Sequence, residues 1–168
     1  MSFLSNLFKS QFDKTEIEEM ASAIPLFRNL GRKDISSLFP IIHTRIYSPD
    51  EYIFRQNDPG IAIYIIQEGE VCIKKEYNDG KSVELTRFFK GDIFGELALV
   101  DDDKRSASAV SAAESKIAVI FKPDLEDFIS KNPRKGILIL RSLSVIIASR
   151  LRKIDEDYTN LYTKTSIK

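Results

Sequence analysis

Thiol and imidazole groups are almost absent from this chain of 168 residues, which has one cysteine, Cys72, and one histidine, His43. One cysteine cannot close a disulfide within the chain, and the two residues cannot supply a multi-cysteine or multi-histidine metal centre. We therefore expect no metal, no cofactor and no metal-dependent β-barrel enzyme. A thiol in the middle of a strand is more typical of an inert core residue than of a nucleophile. We expect no enzyme activity, and the composition suits a cytoplasmic protein.

An excess of charge is also absent, because 25 Lys and Arg residues balance 25 Asp and Glu residues. Nucleic-acid-binding domains usually carry a basic excess, so we expect no nucleic-acid partner. No apolar run approaches the roughly 20 residues that cross a bilayer. The start, "MSFLSNLFKSQF", lacks the early positive charge and long apolar core of a secretory signal. Its apolar residues share one helical face, which favours docking on protein over attachment to a membrane.

Helical patterns occupy the first 40 or so residues. Residues 1–21 are predicted to form an N-terminal helical extension, in which Asp13 is a candidate N-cap before "KTEIEEMASAI". The segment "GRKDISSLFPII" predicts a second short helix that ends near Pro40. The apolar "IPLFRNLG" between the two is interpreted as a packed turn.

Short β-branched and aromatic runs dominate residues 44–121, and turn signals such as "NDPG", "NDGK" and "KGD" separate them. Seven or eight strands at this spacing are typical of an antiparallel sandwich, barrel or jelly roll. The fold class is therefore predicted as mainly β with flanking helices, built on an antiparallel β-roll of about eight strands.

Two helices are predicted to close the domain, at residues 123–131 and 134–161, with a tail at 162–168. The second follows an a/d spacing of four and three residues with one polar interruption. We call this series the seam: Leu140, Ser144, Ile147, Leu151, Ile154, Tyr158 and Leu161. Past Ala148 the apolar residues narrow to the seam, which favours a parallel homodimer. The alternative is a lid that folds over the site of its own chain.

Residues 94–108 combine groups that could hold a ligand with an anion at one end and a hydroxyl at the other. Gly95 permits a backbone conformation that other residues resist, and the short helix-compatible run after it starts with free N–H groups. Arg105 offers a planar fork suited to phosphate, and Glu96 could accept from a ribose hydroxyl. Ala98 and Ala107 leave room beside the backbone. These residues together indicate a nucleotide.

The string "FGELAL", followed five residues later by "RSAS", resembles the phosphate-binding cassette of the cyclic nucleotide-binding domain family. The similarity extends upstream through "YSPDEYIFRQNDPGIAIYIIQEGEV" and downstream through the Asn-Pro pair into the last helix. It covers residues 22–160, which we take as the domain. The departure is "DDDK" before Arg105, where relatives more often have small residues, Gly or Pro. These carboxylates are expected to lie in a solvated loop.

The resemblance implies a role for each site residue. Around the cyclic phosphate, backbone would come from Gly95, Leu97 and Ala98, the paired cation would be Arg105, and the lining would be Ser106 and Ala107. Glu96 would bind the ribose 2′-hydroxyl. The ribose and base would be walled by Leu85 and Phe88, and Ser108 would lie at the base end. An alignment of the last helix with that of the catabolite activator family places Asp155 near the base. There it could accept from an adenine amino group, so cyclic AMP is favoured over cyclic GMP.

We weigh two functions in particular. The first is a cyclic nucleotide sensor that acts through an unidentified effector protein or through its own dimer. The second is a degenerate scaffold of the same fold that binds no nucleotide. A transcription regulator is disfavoured, because the chain ends at Lys168 soon after the seam and is neutral.

Overall fold

Two four-stranded antiparallel sheets pack against each other to form a β-roll. The structure is a computed structural model, which describes residues 24–77, 79–100 and 103–166. Within these residues the strands are β1 (Ile42–Tyr47), β2 (Tyr52–Phe54), β3 (Ala62–Glu68), β4 (Glu70–Glu76), β5 (Ser82–Phe89), β6 (Ile93–Phe94), β7 (Ser108–Ser111) and β8 (Ser115–Phe121). The sheet orders are β1-β8-β3-β6 and β2-β7-β4-β5. The predicted class, mainly β with flanking helices, is confirmed.

Strand β3 divides the interior into two apolar clusters. Its sequence is almost wholly apolar, as expected for a strand that is covered on both faces. Ile63 and Ile65 pack against the helices, whereas Tyr64 and Ile66 pack inside the roll. This alternation follows from the two-residue period of a strand. It places Tyr64 inside the roll, beside the site described below.

The flanking helices begin with α1 (Arg32–Ser36), which lies between 3-10 turns at Pro25–Phe27 and Phe39–Ile41. The predicted packed turn and short helix are therefore found, the helix divided into two pieces. The N-terminal extension and its Asp13 cap lie outside the described residues. After the strands come α2 (Leu97–Val100), α3 (Lys122–Lys131) and α4 (Pro133–Ser166); α2 lies between β6 and β7.

Helix α4 is anchored over its first half. Ile139 and Leu143 are buried in the helix-side cluster, and the Asn29 side chain donates a hydrogen bond of 3.0 Å to Ser142 Oγ. Close packing against α3 requires glycine at position 136, where a Cβ would lie 2.6 Å from Ile129 Cγ2. The N-terminal turns and α3 thus hold the start of α4 against the roll.

The second half of α4 extends away from this anchor. Four seam residues are 64–66% exposed, namely Leu151, Ile154, Tyr158 and Leu161. The helix continues to Ser166, beyond the predicted end at 161, because no Gly or Pro follows Leu161 to stop it. Ile137 and Val145, in the anchored first half of α4, are also exposed. None of the helices in the described ranges has the length and apolar content that crossing a membrane requires.

Candidate ligand-binding site

Arg105 enters the site from a short segment that is pinned to the loop after β2. Its N–H donates to Asp58 O, and its carbonyl accepts from Asn57 N–H, both at 2.9 Å. Lys104, just before it, forms an isolated β-bridge with Pro59. These main-chain contacts fix the arginine backbone before its side chain makes any contact.

The Arg105 guanidinium lies inside the roll, and the residue is only 4% exposed. Nη1 donates to Gly95 O at 2.8 Å, and Nη2 donates to Ala62 O at 2.6 Å. The group stacks over the Phe54 ring, with Cζ 4.2 Å from the ring centroid. Its Nε has no acceptor among the described residues. The charge is therefore held in place by two carbonyls and a ring, and one buried donor is still available.

Burial is the main influence on the ionisation of this arginine and of the neighbouring tyrosine. It lowers the pKa of Arg105, and the nearby Tyr64, Glu96 and Asp58 partly oppose that shift. It raises the pKa of Tyr64, which the positive charge of Arg105 partly offsets. Because a guanidinium keeps its proton in proteins, Arg105 stays a buried cation that would attract an anion.

Gly95 is required by both its conformation and its neighbours. Its φ is +72°, in the left-handed region that disfavours residues with a Cβ. A Cβ there would lie 2.7 Å from Arg105 Nη1 and 3.2 Å from the Tyr64 ring. The glycine thus lets the chain turn directly over the guanidinium, between β6 and α2.

Glu96, the next residue, is buried, with only 5% of its surface exposed. Its Oε1 lies 2.6 Å from Nη1 of Arg150, which comes from α4. Arg150 also donates through Nη2 to Ile93 O, and its Cζ lies 4.5 Å from the centroid of the Phe88 ring. The sequence pattern did not identify Arg150 as a site residue. The available signal was Glu96 itself. A buried carboxylate needs a cation near it, and the residues directly beside Glu96 in the sequence do not supply one.

The other predicted cassette residues occupy different environments. Leu97 and Ala98 form the first turn of α2, and Leu97 is exposed. Ser106 is exposed and its carbonyl accepts from Lys75 Nζ at 2.5 Å, whereas Ala107 is buried. Asp101 and Asp102 lie outside the described residues, and Asp103 is exposed.

Ser108 is engaged by groups at the far end of β4 and the loop after β2. Its buried Oγ accepts from Gln56 N–H at 2.8 Å and donates to Glu76 Oε1 at 2.9 Å. Both side-chain contacts are made within the protein. The hydroxyl therefore has a structural role in this conformation, and a base contact would have to compete with these two partners.

The predicted wall residues lie on β5. Phe88 is half-buried and stacks on Phe94, with ring centroids 6.2 Å apart. Leu85 is exposed and falls where the pairing of β4 with β5 shifts register. Asp155 is exposed on α4, five residues beyond Arg150, which corresponds to roughly 7.5 Å along a helix. Phe88 thus contacts Arg150, the ion-pair partner of Glu96, and Asp155 lies further along the helix.

Cys72 lies outside this arrangement, on β4. It is buried, and burial, reinforced by the neighbouring Glu84, raises its pKa to about 11. A thiol that stays protonated at neutral pH is a poor nucleophile. Among the described residues, no group of three or more His, Cys, Asp or Glu side chains could hold a metal ion.

A buried cation and a buried carboxylate, which flank one glycine, can bind a ligand that carries both an anion and a hydroxyl. A family model described as "Cyclic nucleotide-binding domain" matches residues 44–132, just over half of the chain. The chain is 30% identical over 131 residues to the "Cyclic AMP receptor protein" of Thermus thermophilus, covering 78% of this chain and 59% of that protein.

One further protein and one solved structure are similar over a comparable part of the chain. The "cAMP-dependent protein kinase regulatory subunit" of Colletotrichum orbiculare is 30% identical over 139 residues, covering 82% of this chain and 34% of that protein. The crystal structure of the Thermus thermophilus catabolite activator protein superposes with a TM-score of 0.71 at 30% identity, covering 82% of this chain and 62% of that chain. The chain spans less than two thirds of each of these proteins.

Proposed function

This chain belongs to the cyclic nucleotide-binding domain family, and from that premise we propose that it binds a cyclic mononucleotide at the cassette and regulates a partner protein. The observation that carries the proposal is the pair of buried charges around Gly95. Arg105 and Glu96 are each at least 95% buried, yet neither is tied up completely. Arg105 retains an unpaired Nε–H, and the Glu96 ion pair engages Oε1, so Oε2 keeps acceptor lone pairs.

In the proposed complex the cyclic phosphate lies against Arg105 and the ribose 2′-hydroxyl donates to Glu96. Charge-assisted hydrogen bonds of this kind contribute about 1.5–3 kcal/mol each. The remaining assignments follow the family. At the phosphate, backbone comes from Gly95, Leu97 and Ala98, and the lining is Ser106 and Ala107. The ribose and base are walled by Leu85 and Phe88, and the base is contacted by Ser108 and Asp155. Of the base residues, Ser108 would have to exchange partners, and Asp155 would need α4 to move.

We propose cyclic AMP as the ligand in preference to cyclic GMP. Two relatives carry cyclic AMP in their names, the receptor protein of Thermus thermophilus and the kinase regulatory subunit of Colletotrichum orbiculare. Ser106, which follows the arginine in this chain, does not by itself decide between adenine and guanine. An acceptor such as Asp155 suits an adenine amino group, which guanine lacks at that position.

The exposed half of α4 supports a parallel homodimer as part of this function. Leu151, Ile154, Tyr158 and Leu161 repeat at intervals of three and four residues and are flanked by charged residues. Such a stripe is typical of a two-stranded coiled coil. Its occupant would be the same stripe of a second copy, and the monomeric lid is the competing arrangement.

The proposal is of binding and regulation, without catalysis, in the cytoplasm. Cys72 is the one thiol in the chain and is held protonated by burial, and the two charges at the cassette are assigned to the ligand. The effector protein is left unassigned.

A second candidate is a scaffold of the same fold that binds no nucleotide. The observation in its favour is that Arg105 already donates to two main-chain carbonyls, Gly95 O and Ala62 O. On this reading the guanidinium is a structural cross-link between β3 and the turn after β6, and the site needs no ligand.

Isothermal titration calorimetry of the whole chain separates the two candidates. We expect cyclic AMP to bind with measurable heat, more tightly than cyclic GMP and much more tightly than the open-chain nucleotide 5′-AMP. Glu96→Gln should weaken binding, while Arg55→Ala should leave it unchanged, because Arg55 is exposed and stacks on Tyr52 on the surface. Absence of heat with both cyclic nucleotides would favour the scaffold.

A further inference from the structure

Lys75 points into the roll from β4, at the edge of the cassette. Val71 belongs to the apolar cluster inside the roll, and Ile73 packs against that cluster. Side chains alternate along a strand, so Lys75, two residues further on, lies on the same inner face. Its Nζ donates to Ser106 O at 2.5 Å, which places the ammonium against the residue that follows Arg105. A cation from a strand outside the cassette motif therefore reaches the cassette.

The strand pairing places Lys75 at the end of the site that is proposed for the phosphate. Lys74 is the last residue of β4 that pairs with β7, and it lies opposite Ser108. Because the two strands are antiparallel, the next residue of β4, Lys75, comes alongside Ala107. Ala107 is buried and is one of the two residues proposed to line the phosphate end. The other is Ser106, whose carbonyl holds the ammonium, so Lys75 contacts one of these residues and adjoins the other.

Donor groups at this end are divided unequally between the two cations. Nη1 and Nη2 of Arg105 already donate to main-chain carbonyls, and its Nε is the nitrogen with no acceptor among the described residues. A cyclic phosphate presents two free oxygens that share one negative charge, so a single Nε–H does not satisfy both. The Lys75 ammonium carries three N–H donors and gives one of them to Ser106 O. It can therefore keep that bond and also donate to the phosphate oxygen that Arg105 Nε leaves unpaired.

We propose that Lys75 is a second cation of the phosphate site, and that its ammonium donates to the cyclic phosphate together with Arg105. This inference rests on the proposed function, because it adds a binding residue to that same site. Arg105 is locked by carbonyl oxygens, whereas Lys75 is half-buried and carries its charge on a flexible stem. The attraction that Lys75 adds is therefore sensitive to salt, and it is the same for every base that the nucleotide carries.

The test is calorimetry of the whole chain with cyclic AMP and cyclic GMP, which share a phosphate and a ribose and differ in the base. Lys75→Met keeps the stem and removes the charge, Lys75→Gln is a second neutral variant, and Lys75→Arg keeps a charge. The matched control is Lys74→Met, because Lys74 is half-buried like Lys75 but lies on the other face of β4, opposite Ser108 and Glu84. Each titration is run at about 0.02 M and about 0.5 M salt, between which the screening length differs roughly fivefold. Thermal denaturation without ligand verifies that each variant is folded.

At low salt we expect Lys75→Met and Lys75→Gln to weaken cyclic AMP about tenfold, as the loss of one charge-assisted hydrogen bond would give. Cyclic GMP should weaken by the same factor, to within about twofold, because the phosphate is common to both ligands. At high salt the difference from the wild type should shrink to about threefold, since the lost attraction is partly screened. Lys75→Arg should stay within about threefold of the wild type, and Lys74→Met should match it.

Three results would overturn the inference while leaving the proposed function intact: unchanged binding by the two neutral variants, weakening by the same factor at both salt concentrations, or a changed preference between the two nucleotides. The second result would make Lys75 a structural tie between β4 and the cassette, and the third would place it at the base. If the wild type binds neither nucleotide, the proposed function itself fails, and the inference fails with it.

Discussion

The proposed phosphate end and the proposed ribose end of the site are each built around an arginine, but the chain brings the two arginines there in different ways. Arg105 belongs to the cassette segment and is locked inside the β-roll by main-chain carbonyls. Arg150 comes from α4, more than 50 residues after Glu96, and pairs with a side chain. The phosphate end is therefore part of the rigid roll, whereas the ribose end depends on where a helix lies.

Because of this difference, we expect the two ends to respond to different changes. Removing Arg105 leaves two carbonyl oxygens and a ring without their partner inside the core, so the roll itself is affected. Removing Arg150 leaves a carboxylate without its counter-ion, so the effect is expected in ligand selectivity and in the placement of α4. Variants that act on one end only can separate these two behaviours.

The largest effect is expected at the phosphate end. Arg105→Ala should weaken binding of cyclic AMP at least tenfold, because it removes the cation that faces the phosphate. It should also lower the thermal stability, since Gly95 O and Ala62 O lose their donors. Calorimetry and thermal denaturation measure both effects. Arg55→Ala, the surface arginine stacked on Tyr52, is the control, and equal binding by the two variants would contradict the assignment.

Gly95→Ala tests the turn that joins the two ends. We expect a loss of about 2 kcal/mol in the free energy of unfolding, from the positive φ and from the contact with Arg105 Nη1. The matched variant is Gly80→Ala, where φ is +80° but a Cβ would meet nothing within 4 Å. That change should cost about 1 kcal/mol, from the backbone alone. If chemical denaturation gives the same loss of unfolding free energy for Gly95→Ala and Gly80→Ala, the close approach of Arg105 to Gly95 does not contribute to the cost.

Ile154→Asp tests whether the region beyond Arg150 forms an interface. Light scattering of the wild type should give about twice the monomer mass of 19.2 kDa, because the exposed stripe pairs with that of a second copy. The aspartate variant should be monomeric, whereas Glu156→Lys, at an exposed position off the seam, should remain dimeric. A wild-type mass of one chain, with and without cyclic AMP, would favour the lid.

The smallest effect is expected from alkaline pH, and it concerns the roll. Burial raises the pKa of Tyr47 from 10.0 to about 12, that of Cys72 from 9.0 to about 11, and that of Tyr64 in the same direction. The native state therefore keeps protons that the unfolded state releases. These groups should leave the stability nearly unchanged below about pH 9 and should lower it as the pH rises towards 12. Tyr47 and Cys72 should each lower the free energy of unfolding by about 1 kcal/mol at one pH unit above the usual pKa of the group.

The control for the pH effect is Tyr47→Phe, which removes one of the three buried acids. Its unfolding free energy should fall less steeply than that of the wild type between pH 10 and 12. An identical slope in the two proteins, measured by denaturant titration at each pH, would show that Tyr47 does not carry the shift.

Most of the roll was predictable because its signals are local. The runs that became β3, β4, β5 and β8 alternate with turn residues, so the pattern identified an antiparallel β domain. The cassette was predictable for the same reason, since Gly95, Glu96 and Arg105 lie within eleven residues of one another. Their types and spacing could be interpreted without knowing any distant contact.

What could not be predicted depends on contacts between distant segments. The bonds from Arg105 to Gly95 O and Ala62 O need the placement of β3 beside the cassette. The pairing of Arg150 with Glu96 needs the angle at which α4 leaves α3, where Gly136 packs closely against Ile129. Arg150 is not one of the seam residues, so the a/d pattern gave no reason to single it out. The extension of α4 to Ser166 was missed because an a/d pattern marks an interface and not a helix end.

The most direct measurement of the central claim is an NMR titration that follows the arginine Nε–H resonances of the whole chain as cyclic AMP is added. The Nε of Arg105 has no acceptor among the described residues, so contact with the cyclic phosphate should shift its resonance strongly downfield. The resonance of Arg55, on the surface, should stay in place. Saturable binding of cyclic AMP with no change at Arg105, or no binding at all, would contradict the account.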